Sequence, residues 1–573
     1  MRRGIFFPLV AAFLATACAT APGPGGSASS ASGGPAQPAR TLVTALRVEP
    51  KGIAARGLGQ NTGVALYLSK RMFNADLALL DDKGDPKPYL AESLPQLNTD
   101  SWKVSSDGTM ETTYRVRPNL VWHDGAPLTA DDFVFSWKVY ATPDLGTAAT
   151  PPINLIQEVV APDERTVLIH WKQPYASAGS LQSVGTGANG LPPLRRSILG
   201  AALESGSADA ILNHPYWSTG FVGLGPYRLD RWEPGAFIEA AAFDRHALGA
   251  PKIQRIRLLF MPDGNTTLAS MLSGDVQLAA DNGLPPPQVA TLMKQWGPGG
   301  GSAVLYGNQW RAAHFQARPD FVSPAALQDP RVRKALAYAV DKPGIDGLIY
   351  DGQFPISDSI FSPTSDLGRA ADGALTKYPL DLRLSSQLMT EAGFTKGGDG
   401  TYASPSGGRF SSEVKTNGGT DNEAEMSAMA SGWRQVGFDM HEAVLPAVQA
   451  QDTQARASFP GLYIYSGNVG EGGINGMSSI NVPRPENNWR GGSYDGYTNP
   501  EMDRLITAFT TALAPSERTR IAVDIAKLYS ADLPSISLFF PTQPWVFTSD
   551  LTGPKLVTPE SNVAWNIHEW EFR

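Results

Sequence analysis

Between Thr41 and Arg573 the chain runs without a tandem repeat, a low-complexity break or an apolar run long enough to cross a membrane. A segment of that length is well beyond the ~250–300 residues at which one hydrophobic core stops growing, so it must divide into two or three domains. Short strand-like runs, such as residues 42–48 and 255–261, alternate with helix-like runs, such as 331–340 and 501–511. That mixture predicts α/β or α+β domains. With 42% apolar and 18% charged residues the chain reads as globular, and a net charge of −8 gives no electrostatic reason to expect nucleic acid as a partner. The 7 histidines are scattered and there is 1 cysteine, so neither a disulfide framework nor Cys/His metal spacing can be assembled. No metal and no cofactor is expected.

The position of that cysteine is informative. Arg2 and Arg3 precede a short apolar run over residues 5–17, and Cys18 follows small residues. This is the pattern of an export signal, too short for a membrane-spanning helix. Leu14-Ala15-Thr16-Ala17-Cys18 resembles the lipobox of bacterial lipoproteins, in which the thiol receives a diacylglycerol before cleavage; the departure is Ala15, where leucine is usual. The alternative is ordinary secretion with cleavage after Ala15-Thr16-Ala17. Residues 19–40 are Ala, Gly, Ser, Pro and Thr with almost nothing large and apolar, a composition that reads as a flexible tether. The expected product is exported and lipid-anchored through Cys18, on the outer face of the cell membrane or the periplasmic side of the envelope.

Residues 121–138 place His123 beside Asp124 and follow them with Asp131 and Asp132, which imitates an active site. Each polar residue has a structural reading instead. Asp124-Gly125 is a turn dipeptide. Thr129 is placed to cap a helix with Asp132 at its third position, and Phe133, Trp137 and Tyr140 recur at i, i+4 and i+7 as one apolar face. No nucleophile or third catalytic partner accompanies His123 and Asp124. The chain is not expected to be an enzyme.

Ala91-Glu-Ser-Leu-Pro95, Trp102-Lys-Val-Ser-Ser-Asp-Gly108, the run from Tyr114 to Asp132 and Phe135-Ser-Trp137 resemble the signature of the family-5 extracellular solute-binding proteins. The resemblance continues in order through Gly223–Leu229, Trp232–Gly235, Ser270–Gln277, Asp329–Lys342, Glu391–Phe394, Gly496–Asp503 and Leu533–Leu538. It covers roughly residues 41–573. Most of these blocks have local explanations as well: Asp329-Pro330 and Asn499-Pro500 are each a cap followed by proline at the first helical position.

The resemblance implies a two-lobed periplasmic-binding-protein fold of type II topology, mixed α/β, with an extra subdomain and a hinge between the lobes. Carried onto this chain, lobe I comprises 41–70, 216–307 and 537–573, the extra subdomain 71–215, and lobe II 308–536, with crossings near 306–313 and 537–541. The implied function is capture of di- or oligopeptides as a monomer and delivery to the transmembrane permease of an ABC importer and its ATPase. The alternatives are a non-peptide solute (an oligosaccharide, an opine-like compound or a metal chelate), a secreted hydrolase, or a sensor or chaperone lipoprotein.

In peptide binders of this family a second-lobe loop supplies an aspartate for the ligand's α-ammonium. The matching region here, residues 462–473, reads as a loop without the usual tryptophan and aspartate, and Glu471 is its only acid. Downstream, Asn487, Trp489, Arg490 and Tyr494 combine aromatic walls with placed polar groups, the chemistry of a solute cleft. Arg490 has two candidate partners, a ligand carboxylate or Glu486. Trp310 joins the candidates because the resemblance places it at a crossing.

Overall fold

The computed structural model describes residues 40–58, 66–183, 190–307, 309–446, 449–487 and 489–573. Cys18 and the tether lie outside them. Two main sheets organise the chain. The first has seven strands in the order Gly301–Tyr306, Gln543–Thr548, Leu278–Ala279, Thr41–Leu46, Arg255–Phe260, Phe237–Ala242 and Tyr227–Glu233. The second has five, in the order Asp439–Leu445, Ser411–Asn417, Leu462–Asn468, Gln309–Phe315 and Ser535–Phe539.

The chain passes from the first sheet to the second between Tyr306 and Gln309 and returns between Phe539 and Gln543. On each side of the crossing the outgoing and returning strands are hydrogen-bonded antiparallel neighbours. The two crossings therefore leave and enter each sheet on adjacent strands. Residues 537–539 still pair with the second sheet, so the return falls at the far end of the expected 537–541 crossing. The helix Tyr67–Phe73 likewise runs through the expected 70/71 boundary without a break.

A third sheet, antiparallel, is ordered Trp102–Val104, Met110–Arg115, Thr166–Trp171 and Ile156–Asp163. The helix Ala130–Tyr140 packs on it, started by the expected capping box: Asp132 accepts the Thr129 N–H at 3.2 Å, and also the Trp122 indole N–H at 3.2 Å. Phe133 and Tyr140 are fully buried on the predicted face. His123 is held by its neighbours. Its Nε2 donates to the Gly225 carbonyl at 3.0 Å, its Nδ1 accepts the Gly223 N–H at 3.2 Å, and burial pushes its pKa down to about 4. Asp124 accepts the Ala126 N–H and pairs with Arg195 at 3.2 Å.

Apolar packing divides differently from the sheets. Leu42, Ile256 and Tyr227 of the first sheet share one continuous core with Tyr114 and Trp171 of the third and Phe133 of the helix packed on it. The second sheet has a separate core on each face. Ala313, Phe315, Val414 and Ile464 pack on one side, with helices Pro330–Tyr338 and Thr420–Gln435. Trp310 and Ala312 pack on the other, with Pro500–Thr511 and Pro515–Asp532. The helix starts are those the sequence signals. Asp329 accepts the Arg331 N–H at 2.8 Å, and Asn499 accepts those of Glu501 at 2.8 Å and Met502 at 3.3 Å.

Candidate functional site

The strand Gln309–Phe315 follows directly from the crossing, and its two-residue side-chain period decides what it presents. Arg311 and Ala313 face the Thr420–Gln435 helix, while Trp310, Ala312 and His314 face the opposite side. On that side a cavity of about 270 Å³ opens among Trp310, His314, Tyr465, Tyr494, Tyr497 and Tyr529. Arg456, Ser466, Asn468, Ser493 and Asp495 line it as well, so aromatic faces alternate with polar groups, as in small-solute sites.

Its polar centre is buried. His314 Nδ1 donates to Asp495 Oδ2 at 3.1 Å, with both side chains under a tenth exposed. The other carboxylate oxygen accepts the Tyr497 N–H at 3.1 Å. The imidazole lies parallel on Tyr465, 3.8 Å between ring centres and 13° between planes, and Trp310 is tilted against it at 5.4 Å. His314 Nε2 has no hydrogen-bond partner among the described residues and is itself enclosed. At the rim Arg456 covers the Tyr494 ring at 3.9 Å and donates to its hydroxyl at 2.7 Å. Burial raises the phenol pKa values of Tyr465 and Tyr494 above the ordinary range, so both stay neutral donors.

Neighbouring elements hold these groups in place. Gly467 lets the Trp310 ring cross its strand, since a Cβ there would sit 2.4 Å from the indole nitrogen. Arg318 fixes the segment carrying Tyr494 and Asp495, donating to the carbonyls of Tyr494 at 2.8 Å and Pro483 at 3.1 Å and also reaching that of Ala457. Residues 462–473, read as a loop from sequence, are instead the end-to-end pair of the strand Leu462–Asn468 and the helix Gly470–Gly476. The correction has a physical cause. Leu462, Tyr463 and Ile464 are paired on both edges and fully buried, a demand that overrides the loop-like glycines that follow.

Two of the six sequence-named residues, Trp310 and Tyr494, meet on the cavity. The other four stand around it. Glu471 is bound by the Arg518 guanidinium and accepts from Ser177 Oγ at 3.2 Å, which joins the second sheet's side of the molecule to the third sheet's. Asn487 is used within its own turn, accepting the Arg484 N–H at 2.8 Å and the Arg490 N–H at 3.1 Å while donating to Val482. Trp489 meets Phe321 edge-on at 6.3 Å. Arg490 extends to the Pro143 carbonyl at 3.4 Å rather than to Glu486. A second, more polar cavity of about 610 Å³ lies where first-sheet loops carrying Arg47, Asp263 and Asp281 face Gly418, Thr420 and Asn422 of the second.

The family model of the bacterial extracellular solute-binding proteins, family 5, matches residues 86–473. The chain belongs to that family. This family-5 protein is 22% identical over 518 residues to the oligopeptide-binding protein AppA of Bacillus subtilis, covering 87% of this chain and 86% of that one. It is 25% identical to the glutathione-binding protein GsiB of Escherichia coli over 321 residues, 53% of this chain and 54% of GsiB. Its fold is shared with the oligopeptide-binding protein of Thermus thermophilus complexed with a pentapeptide, at a TM-score of 0.78, 20% identity and coverage of 93% and 96% of the two chains. NikZ of Campylobacter jejuni in complex with Ni(L-His) gives a TM-score of 0.76 at 20% identity, covering 93% of this chain and 100% of NikZ. Among the described residues no helix is long and apolar enough to cross a membrane, and no group of three or more His, Cys, Asp or Glu side chains is placed to hold a metal.

Sequence reasoning missed His314, Asp495, Tyr465 and Arg456. For His314 a signal was present: four residues beyond Trp310 on a strand, it must share its face. For Asp495 there was none, because Asp-Gly reads as a turn and its partner lies 181 residues away.

Proposed function

We propose that this family-5 protein captures peptides in the cleft between its two lobes and delivers them to an ABC importer's permease and ATPase. The observation that carries the peptide reading is the cavity beside the crossing, lined wholly from the second lobe, whose aromatic faces and buried His314–Asp495 pair suit a ligand side chain. The oligopeptide and glutathione names of the relatives support it. Trp310 and Tyr494 contact the solute. Glu471, Asn487, Trp489 and Arg490 shape the surrounding wall, and Glu471 with Ser177 steadies the closed form. Lobe I is built on the first sheet, the extra subdomain on the third and lobe II on the second, with the crossings between Tyr306 and Gln309 and between Phe539 and Gln543. The protein works as a monomer, anchored by a lipid on Cys18. It performs no bond chemistry; closure around the solute favours one conformation through differential affinity.

Native mass spectrometry of protein purified without unfolding tests the reading. A retained solute with a peptide mass and fragmentation pattern is the expected result. A retained sugar, opine or metal chelate overturns the peptide assignment.

A further inference from the structure

We propose that Arg456 reads a carboxylate on the solute, because among the described residues it is the one lysine or arginine lining the cavity and it is held there with no acid beside it. The proposal deepens the peptide reading and rests on it for the identity of the whole solute.

A guanidinium has five N–H donors. In Arg456, Nε gives one to the Tyr463 hydroxyl at 3.2 Å and Nη1 gives one to the Tyr494 hydroxyl at 2.7 Å. Three remain, one on Nη1 and two on Nη2, along the edge that can meet a carboxylate with two parallel bonds. Nη2 has no partner among the described residues and is not one of their enclosed atoms, so it is open to an incoming group. The fork is set before anything arrives, with its central carbon 3.9 Å from the centre of the Tyr494 ring. A cation fixed in advance loses less freedom on binding than a loose one.

No neighbour neutralises it. Asp452, four residues earlier, has the spacing of a helical ion pair but caps its own helix instead, accepting the N–H groups of Gln454 at 2.8 Å and Ala455 at 3.2 Å. Asp495, the one acid lining the cavity among the described residues, is already engaged by the His314 ring at 3.1 Å, by the Tyr497 N–H at 3.1 Å and by the nearby charge of Arg318. Tyr494 supplies no negative charge, since burial keeps its phenol protonated. Having accepted from Arg456, that hydroxyl still has a proton to donate to the same carboxylate. The charge of Arg456 is therefore left to the solute, and a carboxylate bonds to it more strongly than the matching amide. Such a carboxylate comes from an acidic side chain or from a peptide's C-terminus.

Calorimetry on the purified protein compares Ala-Glu-Ala with Ala-Gln-Ala for the side-chain source, and Ala-Trp-Ala with its C-terminal amide for the terminal one. 3-Phenylpropionate and 3-phenylpropanamide form a third pair that is not a peptide. The wild type should prefer the carboxylate member of one peptide pair by at least about tenfold, and that pair names the source. Arg456→Gln should abolish the preference, and Arg456→Lys, which keeps the charge without the fork, should leave part of it. If Arg456 only props Tyr494, Arg456→Gln weakens both members alike and the ratio survives, which overturns the proposal. Equal affinities within both peptide pairs in the wild type overturn it as well and leave the peptide reading standing. Carboxylate-selective binding of the third pair alone, lost in Arg456→Gln, sinks the peptide reading and upholds the role of Arg456; failure of all three pairs sinks both. If Arg456→Gln does not fold, the ratios of the wild type and of Arg456→Lys decide.

Discussion

Arg311 and Glu425 form a pair on the far side of the strand that presents Trp310 and His314, and removing one partner should do far more harm than removing both. Arg311 Nε lies 2.7 Å from Glu425 Oε2, the side chains being 8% and 0% exposed. The guanidinium also donates to Asn422 Oδ1 at 2.8 Å, whereas Glu425 Oε1 has no partner among the described residues. Burial raises the Glu425 carboxyl above its ordinary range even though Arg311 acts to lower it. The desolvation cost therefore exceeds the attraction, and stability carried by this group is present at low pH and lost as pH rises through its folded pKa. Arg311→Met strands a buried carboxylate and should cost about 3–5 kcal/mol. Arg311→Met with Glu425→Leu removes both charges and should return to wild-type stability or exceed it. Because two lobes need not unfold together, the measurement is hydrogen exchange in peptides covering residues 309–315 and 420–435, with guanidinium unfolding as a control. Protection should fall in the single variant and recover in the double one. A double variant as unprotected as the single would show that the pair's own attraction holds the strand, and the reasoning would be wrong.

Burial pushes the Asp281 carboxyl from 3.8 up to about 7, so its contribution to stability is full below about pH 4 and declines as pH rises through about 7. Asp281→Asn keeps an acceptor for the Leu68 N–H and tolerates the positive φ of 49° there; melting curves should show it more stable than wild type at pH 8, by at most on the order of 4 kcal/mol, and equal near pH 4. Ser177→Ala removes the hydrogen bond to Glu471 that ties the third sheet's side to the second's, and stopped-flow release of Ala-Trp-Ala should quicken about fivefold, for a bond worth about 1 kcal/mol; an unchanged rate would remove Ser177 from closure. Cys18→Ser should shift the protein from the membrane fraction to the soluble one, and retention at the wild-type level would refute the lipid anchor.

Local rules carried far along this chain. The capping box at Thr129, the Asp329-Pro330 and Asn499-Pro500 helix starts and the structural use of His123 were all legible, because each depends on residues a few positions apart. The ordered motif blocks carried the family and, with it, the fold. Trp310 and Tyr494 were legible as aromatic residues in irregular or crossing segments. Tertiary structure alone decided the rest. It turned residues 462–473 into a strand and a helix, because pairing on both edges outweighs local glycine content. It assigned Asn487 to its own turn and gave Glu471 to Arg518 and Ser177, partners 47 and 294 residues away. It also brought His314 to Asp495 from 181 residues away. Sequence specifies which groups a residue carries and which near neighbours it meets, whereas a site made of contacts between distant segments exists only after the sheets have packed.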